Sequence, residues 1–373
     1  MSWSLKLGKV AGIPVLVHWT FFILLAFFGY SAWSESQDLL VALRGTVFVV
    51  ALFGCVVLHE LGHALAARRF GIATADITLL PFGGVARLKR IPEKPGQELV
   101  VALAGPLVNL VIAGTLLLLG ARIAAPTGEQ TSTLTATIAR VGFWPTLLLV
   151  NLWLFFFNLL PAFPMDGGRV LRALLALRMD YARATRRAAS VGQLLAIGLG
   201  LLGLTAGNPV LMLICLFVWL GAEAEARQVE MGAALKGARV SDAMITDYRT
   251  LSPEQNLGVA VDWLLTSTQH DFPVQDEEGP AGYLTREDLL RGLAERGRDA
   301  PIRDYLQPNL ESVEADGPLG PAWDRLREGT KGCLQVTAKG RPVGLLLADH
   351  IGDYVRVRTA LQGADPRGPR PKA

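Results

Sequence analysis

The chain is 373 residues long, carries a formal net charge of +3 and is 51% hydrophobic, with a mean hydropathy of +0.35. That is too apolar for an ordinary soluble enzyme and long enough for more than one domain. The small charge, with no basic stripe interleaved with aromatics, excludes nucleic acid as a partner, and Cys55, Cys215 and Cys333 are too few and too scattered for a disulfide framework or a cysteine zinc site.

In chain order, Met1 to Gly12 carries Lys6 and Lys9, and the first apolar run, Ile13 to Trp33, lacks a small-residue cleavage site. It predicts a retained membrane helix, not a removed signal. His18, beside Trp19, is either an interfacial residue or a group approaching from this helix, and it is not counted as a ligand. Five more runs follow: Gly45 to Ala66, Leu99 to Gly120, Phe143 to Leu160, the short Val191 to Ala206, and Val210 to Ala226 after a tight turn at Asn208-Pro209. Arg68, Arg69, Arg87, Lys89, Arg90 and Lys94 lie between runs two and three, and Arg169, Arg172, Arg178, Arg183, Arg186 and Arg187 between four and five. Both segments are therefore expected on the cytoplasmic side, with Ser34 to Leu43 and Ala121 to Val141 opposite. Six crossings place both termini in the cytoplasm, in a cell inner or plasma membrane.

Run two carries His59-Glu60-Leu61-Gly62-His63 inside an apolar stretch, Thr46 to Ala67. Residues four apart share a helix face, so both imidazoles can meet one tetrahedral zinc ion, with Glu60 placed to activate water. Each ionisable group at bilayer depth costs about 2.5 to 3.5 kcal/mol. A zinc site worth about 10 to 16 kcal/mol offsets several such groups, whereas a plain helix offsets none. Cys55, one turn earlier, either lines the site or packs as a small apolar thiol.

Run four ends in Asn158-Leu-Leu-Pro161-Ala-Phe-Pro164-Met-Asp166-Gly167-Gly168-Arg169. Broken backbone at membrane depth survives where it is buried in protein or lines a watered cavity. Asp166 is either the third metal ligand or the cap of a helix beginning at Gly167 or Gly168. Asn158 either steadies the developing oxyanion or packs between helices. Runs two and four travel inward together, so the two clusters can meet at one depth beneath the inner leaflet.

With both motifs in hand, the chain resembles the site-2 protease family of intramembrane zinc metalloproteases: HELGH in one membrane segment, NLLPAFPMDGG in a later one and a helix between. The resemblance implies His59, His63 and Asp166 as zinc ligands, Glu60 as the catalytic acid–base group and Asn158 in substrate handling. Ala104-Gly105-Pro106-Leu-Val-Asn109 is similar to the family's small-residue helix, in which glycine, proline and asparagine suit close packing. Ile77 to Arg87, with its glycine pair, predicts a strand or hairpin. By similarity to the family, its Phe82, Gly83 and Gly84 bind substrate by adding a strand to an unwound segment, the alternative being an ordinary surface hairpin.

After Gly237 the composition becomes mixed and charged, with two segments of similar order. Val240 to Met244, a helix from Leu257 to Thr266, Phe272 to Val274 and Gly282 to Asp288 are echoed by Ile302 to Leu306, Leu319 to Arg327, Cys333 to Val336 and Gly344 to His350. This resembles a tandem pair of CBS domains, which implies binding of ATP, ADP or AMP and dimerisation into a homodimer. Thr285 and Asp288 stand at ribose-contact positions; Leu347 and His350 replace them in the second repeat, so at most one such site is expected, or a module that only dimerises. The reading is thus a polytopic α-helical membrane protein with a C-terminal α/β module: protease 1–229, linker 230–238, CBS repeats 239–296 and 297–358, and a loose tail 359–373.

The resemblance implies a zinc metalloendopeptidase acting on single-span membrane proteins such as anti-sigma factors, membrane-tethered regulators or signal-peptide remnants. The rival is a CBS-regulated membrane ion transporter or channel with His59, Glu60, His63 and Asp166 along its path, but no inverted repeat of broken helices accompanies it.

Overall fold

A computed structural model describes residues 4–81, 83–90, 92, 94–122, 134–267, 269–276, 279–307, 311–328 and 333–364. The chain divides into two compact units, Met1–Val229 and Glu230–Ala373.

The first unit opens with strands β1 (Ser4–Val10) and β2 (Ile13–His18), then helices α1 (Trp19–Ser36) and α2 (Leu39–Arg69). The first apolar run is therefore not one helix. Ile13, Val15 and Val17 are buried while the residues between them are not, a period of two that suits β-branched side chains on one face of a strand. Ala11 and Gly12, at φ +51° and +85°, turn β1 back onto β2. His18 then caps α1: its Nδ1 accepts from the Thr20 amide and lies 2.7 Å from the Thr20 hydroxyl. That capping gives His18 a structural role at the start of α1.

Asp38 caps α2 by accepting from the Leu40 amide at 2.8 Å, and Arg68 and Arg69 close its last turn, where cations oppose the helix dipole. Its 31 residues reach about 46 Å, more than a bilayer core. Strands β3 (Thr74–Leu80) and β4 (Gly83–Leu88) follow as an antiparallel hairpin. They join the first two in a sheet of order β1-β2-β3-β4, leaving β4 at an edge.

Helices α3 (Pro95–Leu118), α4 (Leu134–Val141), α5 (Phe143–Asn158), α6 (Asp166–Ala176), α7 (Tyr181–Thr205) and α8 (Pro209–Leu235) complete this part of the chain. By length and composition α2, α3, α7 and α8 are able to cross a membrane, and α5, at 16 residues, is a shorter apolar helix. Helix α7 begins ten residues before its apolar run, so Arg183, Arg186 and Arg187 are helical and not in a loop. It buries Ala184, Ala188, Gly192 and Ala196 while Leu194, Leu201 and Leu204 face outward. Small residues every four positions let backbones approach where lipid supplies no hydrophobic drive between helices.

The second unit begins within α8, so residues 230–235, expected as linker, are its last turns. Helix α9 (Leu257–Thr266), strands β5 (Phe272–Asp276) and β6 (Gly279–Leu284) and helix α10 (Arg286–Arg296) form one half. Strand β7 (Ser312–Glu314), helix α11 (Leu319–Glu328), strands β8 (Cys333–Ala338) and β9 (Arg341–Leu347) and helix α12 (Ala348–Ala364) form the other. The repeat expected from sequence is present as this shared order. The halves are not independent, however. Val240 and Ala243, which lead the first repeat, pack with Leu319, Val336 and Leu346 of the second, and Ile302 and Tyr305, which lead the second, pack with Leu257, Phe272 and Leu289 of the first. Paired backbone bonds between Ile245 and Leu345, and between Tyr283 and Gln307, fasten each leader to the other half.

Candidate metal centre

Helix α2 stacks His59 and His63 one turn apart, with Nε2 atoms 3.1 Å from each other. Asp166 Oδ2 lies 3.2 Å from His59 Nε2 and 3.1 Å from His63 Nε2. All three residues are buried, and each offers one ligand atom to a common point. The His63 Nδ1–H donates to the carbonyl of Val101 at 2.7 Å. A carbonyl can only accept, so the proton sits on Nδ1 and the Nε2 lone pair faces the cluster. Two imidazole lone pairs and a carboxylate oxygen at this spacing repel unless a cation lies among them, and two nitrogens with one oxygen are a donor set suited to zinc. The residues therefore fit the metal.

Three glycines make this convergence possible. Gly105 of α3 faces the imidazoles so closely that a Cβ there would overlap His63 Nε2 and lie 2.7 Å from His59 Nε2. A Cβ on Gly168 would come within 2.7 Å of the Ala162 backbone, and one on Gly167 would overlap the Leu160 carbonyl. The chain thus turns back sharply after α5, across a cis Phe163–Pro164 bond, and delivers Asp166 at the start of α6. Capping is not its role: Met165 is the N-cap and Asp166 already belongs to the first turn.

Glu60 is beside His59, and its Oε2 accepts from the Ala86 amide of β4 at 3.1 Å. Gly84 lets the strand close on it, since a Cβ there would sit 2.8 Å from Glu60 Cγ. A cavity of about 400 Å³ is lined by His59, Glu60, His63, Gly83, Gly84, Asn109, Asn158, Asp166 and Arg169. Phe82 lies outside the described residues. Cys55 does not join the ligand cluster; it packs with Phe48, Leu147 and Leu148.

Three features escaped the sequence reading. Arg172, counted above as a loop charge, is fully buried. Its Nε donates to Glu98 at 2.7 Å and its Nη1 to Glu225 at 2.6 Å, while Tyr181 donates to the same Glu98 oxygen at 3.3 Å. The guanidinium also lies 5.0 Å from the Phe163 ring centre and 4.9 Å from that of Tyr181. The signal was present in Glu98 and Glu225, two acids at the edges of apolar runs that need a cation. The second feature is an ion pair across the hairpin, in which the Arg87 guanidinium holds the Asp76 carboxyl below its ordinary pKa. The third is Asn109, read as helix packing: it is 1% exposed, and among the described residues neither its amide nitrogen nor its amide oxygen has a partner.

In the second unit, Thr285 caps α10 by accepting from the Asp288 amide at 3.0 Å and donates to Asp288 Oδ2 at 2.6 Å. Asp288 Oδ1 accepts from Arg291 and from Gln307.

The sequence profile of Peptidase family M50 matches residues 47–199, and that of the CBS domain matches residues 240–295. Zinc metalloprotease MJ0392 of Methanocaldococcus jannaschii is 34% identical over 318 residues, 85% of this chain and 86% of its own length. Rip3 of Mycobacterium tuberculosis is 30% identical over 95% of this chain and 93% of its own. Among solved structures, the site-2 protease from Methanocaldococcus jannaschii covers 60% of this chain and 95% of its own, at 38% identity and a TM-score of 0.43. The relationship to MJ0392 extends well beyond the motifs and spans most of both chains, so this chain belongs to Peptidase family M50, as a membrane-embedded zinc metalloprotease with a CBS module.

Proposed function

We propose that His59, His63 and Asp166 hold the zinc and that Glu60 carries the protons in hydrolysis of a peptide bond in or near a membrane-spanning segment. The observation that carries this is the meeting, within 3.2 Å, of two imidazoles on α2 and a carboxylate 103 residues from His63. Zinc held there supplies a Lewis acid for the substrate carbonyl and acidifies water. Glu60 takes a proton from the water that attacks the carbonyl carbon and passes it to the nitrogen as the peptide bond breaks. Asn158, at the end of α5 on the cavity wall, donates its amide to the carbonyl oxygen as charge develops.

The substrate enters as an extended strand along β4. That strand is one edge of the sheet, and its Ala86 amide donates to Glu60. A substrate helix hides its peptide bonds within its own hydrogen bonds, so edge pairing through Gly83 and Gly84 keeps an unwound segment open to attack. Single-span proteins such as anti-sigma factors, tethered regulators and signal-peptide remnants are the substrate class, and the basic segments put both termini in the cytoplasm of a cell with this protein in its inner or plasma membrane. The protease comprises residues 1–229. The CBS pair, 239–296 and 297–358, binds ATP, ADP or AMP at Thr285 and Asp288, forms the homodimer contact and tunes cleavage.

Glu60→Gln tests the core of this reading. The purified variant is expected to keep one zinc per chain by elemental analysis while cleavage of a single-span peptide falls at least a thousandfold. Nucleotide control is checked separately, by cleavage rates with and without AMP or ATP at concentrations shown to bind; rates that do not move refute it.

A further inference from the structure

Asn109 stands on α3 one turn beyond Gly105, the residue that lets this helix pass against both imidazoles. Positions four apart share a helix face, and Asn109 is among the residues lining the same cavity as Glu60, Asn158 and Asp166. It is 1% exposed, yet its Nδ2 and Oδ1 both lack a hydrogen-bond partner among the described residues. Asn151 of α5 makes a partial contrast: its Oδ1 is also without a partner among the described residues, but its Nδ2 donates to the Leu147 carbonyl at 2.9 Å. A buried carboxamide with neither face satisfied destabilises the fold, and leucine or alanine would pack a helix without that cost.

A carboxamide offers a donor and an acceptor in one plane, which complements the carbonyl and N–H of an extended peptide. We infer that Asn109 binds the substrate backbone, its Nδ2–H donating to a substrate carbonyl and its Oδ1 accepting from a substrate N–H. The edge of β4 then holds the segment through main-chain bonds and Asn109 through a side chain. This inference rests on the peptidase reading of the cavity.

The test uses the full zinc-loaded chain in detergent and a synthetic single-span peptide whose cleavage bond has been mapped. Asn109→Leu and Asn109→Ala are expected to keep the zinc content and the unfolding temperature, to raise KM about tenfold and to leave kcat within about threefold. In the Glu60→Gln background, which leaves the peptide uncut, adding Asn109→Ala is expected to weaken peptide binding about tenfold. Replacing peptide bonds by esters one at a time removes single N–H donors. One such position should lower wild-type kcat/KM about tenfold and leave Asn109→Ala unaffected. Unchanged KM and affinity in both variants, or esters that affect wild type and variant alike, would overturn the inference and assign the amide to water or packing. If Asn109→Leu does not fold, Asn109→Ala and Asn109→Ser with the ester series decide it. A Glu60→Gln protein that still cleaves refutes the peptidase reading itself, whatever Asn109 does.

Discussion

The membrane unit buries two polar clusters that solve the charge problem in opposite ways. At His59, His63 and Asp166, lone pairs face lone pairs at 3.1 to 3.2 Å and the set is complete only with a cation. At Arg172, the cation is built into the chain and two carboxylates and two aromatic rings, one of them the Tyr181 phenol, surround it. Helix α6 contributes to both, with Asp166 in its first turn and Arg172 fully buried further along it. The difference teaches which buried charges signal chemistry: a cluster with its cation built into the chain holds helices in place, and one whose lone pairs face each other without a cation awaits a ligand.

Substitutions can break this contrast, and the largest effect belongs to the cluster without a built-in cation. Asp166→Ala should drop the zinc content below about a tenth per chain and cleavage by more than a thousandfold, with little loss of unfolding temperature before metal is added; elemental analysis and a cleavage assay check it. Arg172→Ala should do the reverse, destabilising by about 3–5 kcal/mol because two acids lose their cation, read as a lowered thermal midpoint in detergent. If instead Arg172→Ala folds as well as wild type, the second cluster is not structural and the contrast fails. Gly105→Ala sharpens the comparison at smaller scale: its methyl would press on the ligand nitrogens, so zinc affinity should fall about tenfold or more, measured by chelator competition.

The mildest effect concerns acid. Asp76 has a folded pKa below its ordinary value because Arg87 bonds its carboxylate. The pair therefore stabilises fully above the unfolded carboxylate pKa, and its contribution disappears as pH falls through the depressed folded value. Since Arg87 is half exposed, the loss should stay under about 1 kcal/mol. An Asp76→Asn protein should show a smaller fall in thermal midpoint than wild type between neutral and strongly acid pH.

Much of the site was legible because its chemistry forces residue types into fixed spacing. Two histidines four apart on an apolar helix, and an aspartate before two glycines after two prolines, have few other uses. The hairpin was legible from its turn glycines. What stayed hidden depended on direction. Ile13 to His18 and the helix after it are equally apolar, and only the burial of alternate residues separates strand from helix. Arg172 reads as a loop cation until α6 turns it inward, and Asn109 reads as packing until its amide is seen to lack a partner. The exchange of leaders between the CBS repeats was invisible for another reason: a repeat read along the chain assigns each leader to the residues that follow it.

That exchange has a consequence for anyone cutting the gene. A break between Gly297 and Pro301 would strip Ile302 and Tyr305 from the core around Phe272 and strand Val240 and Ala243 without the core around Val336. Neither fragment would be a folded domain, so the pair should melt in a single cooperative step, and strain introduced at one repeat should be felt at once by its twin.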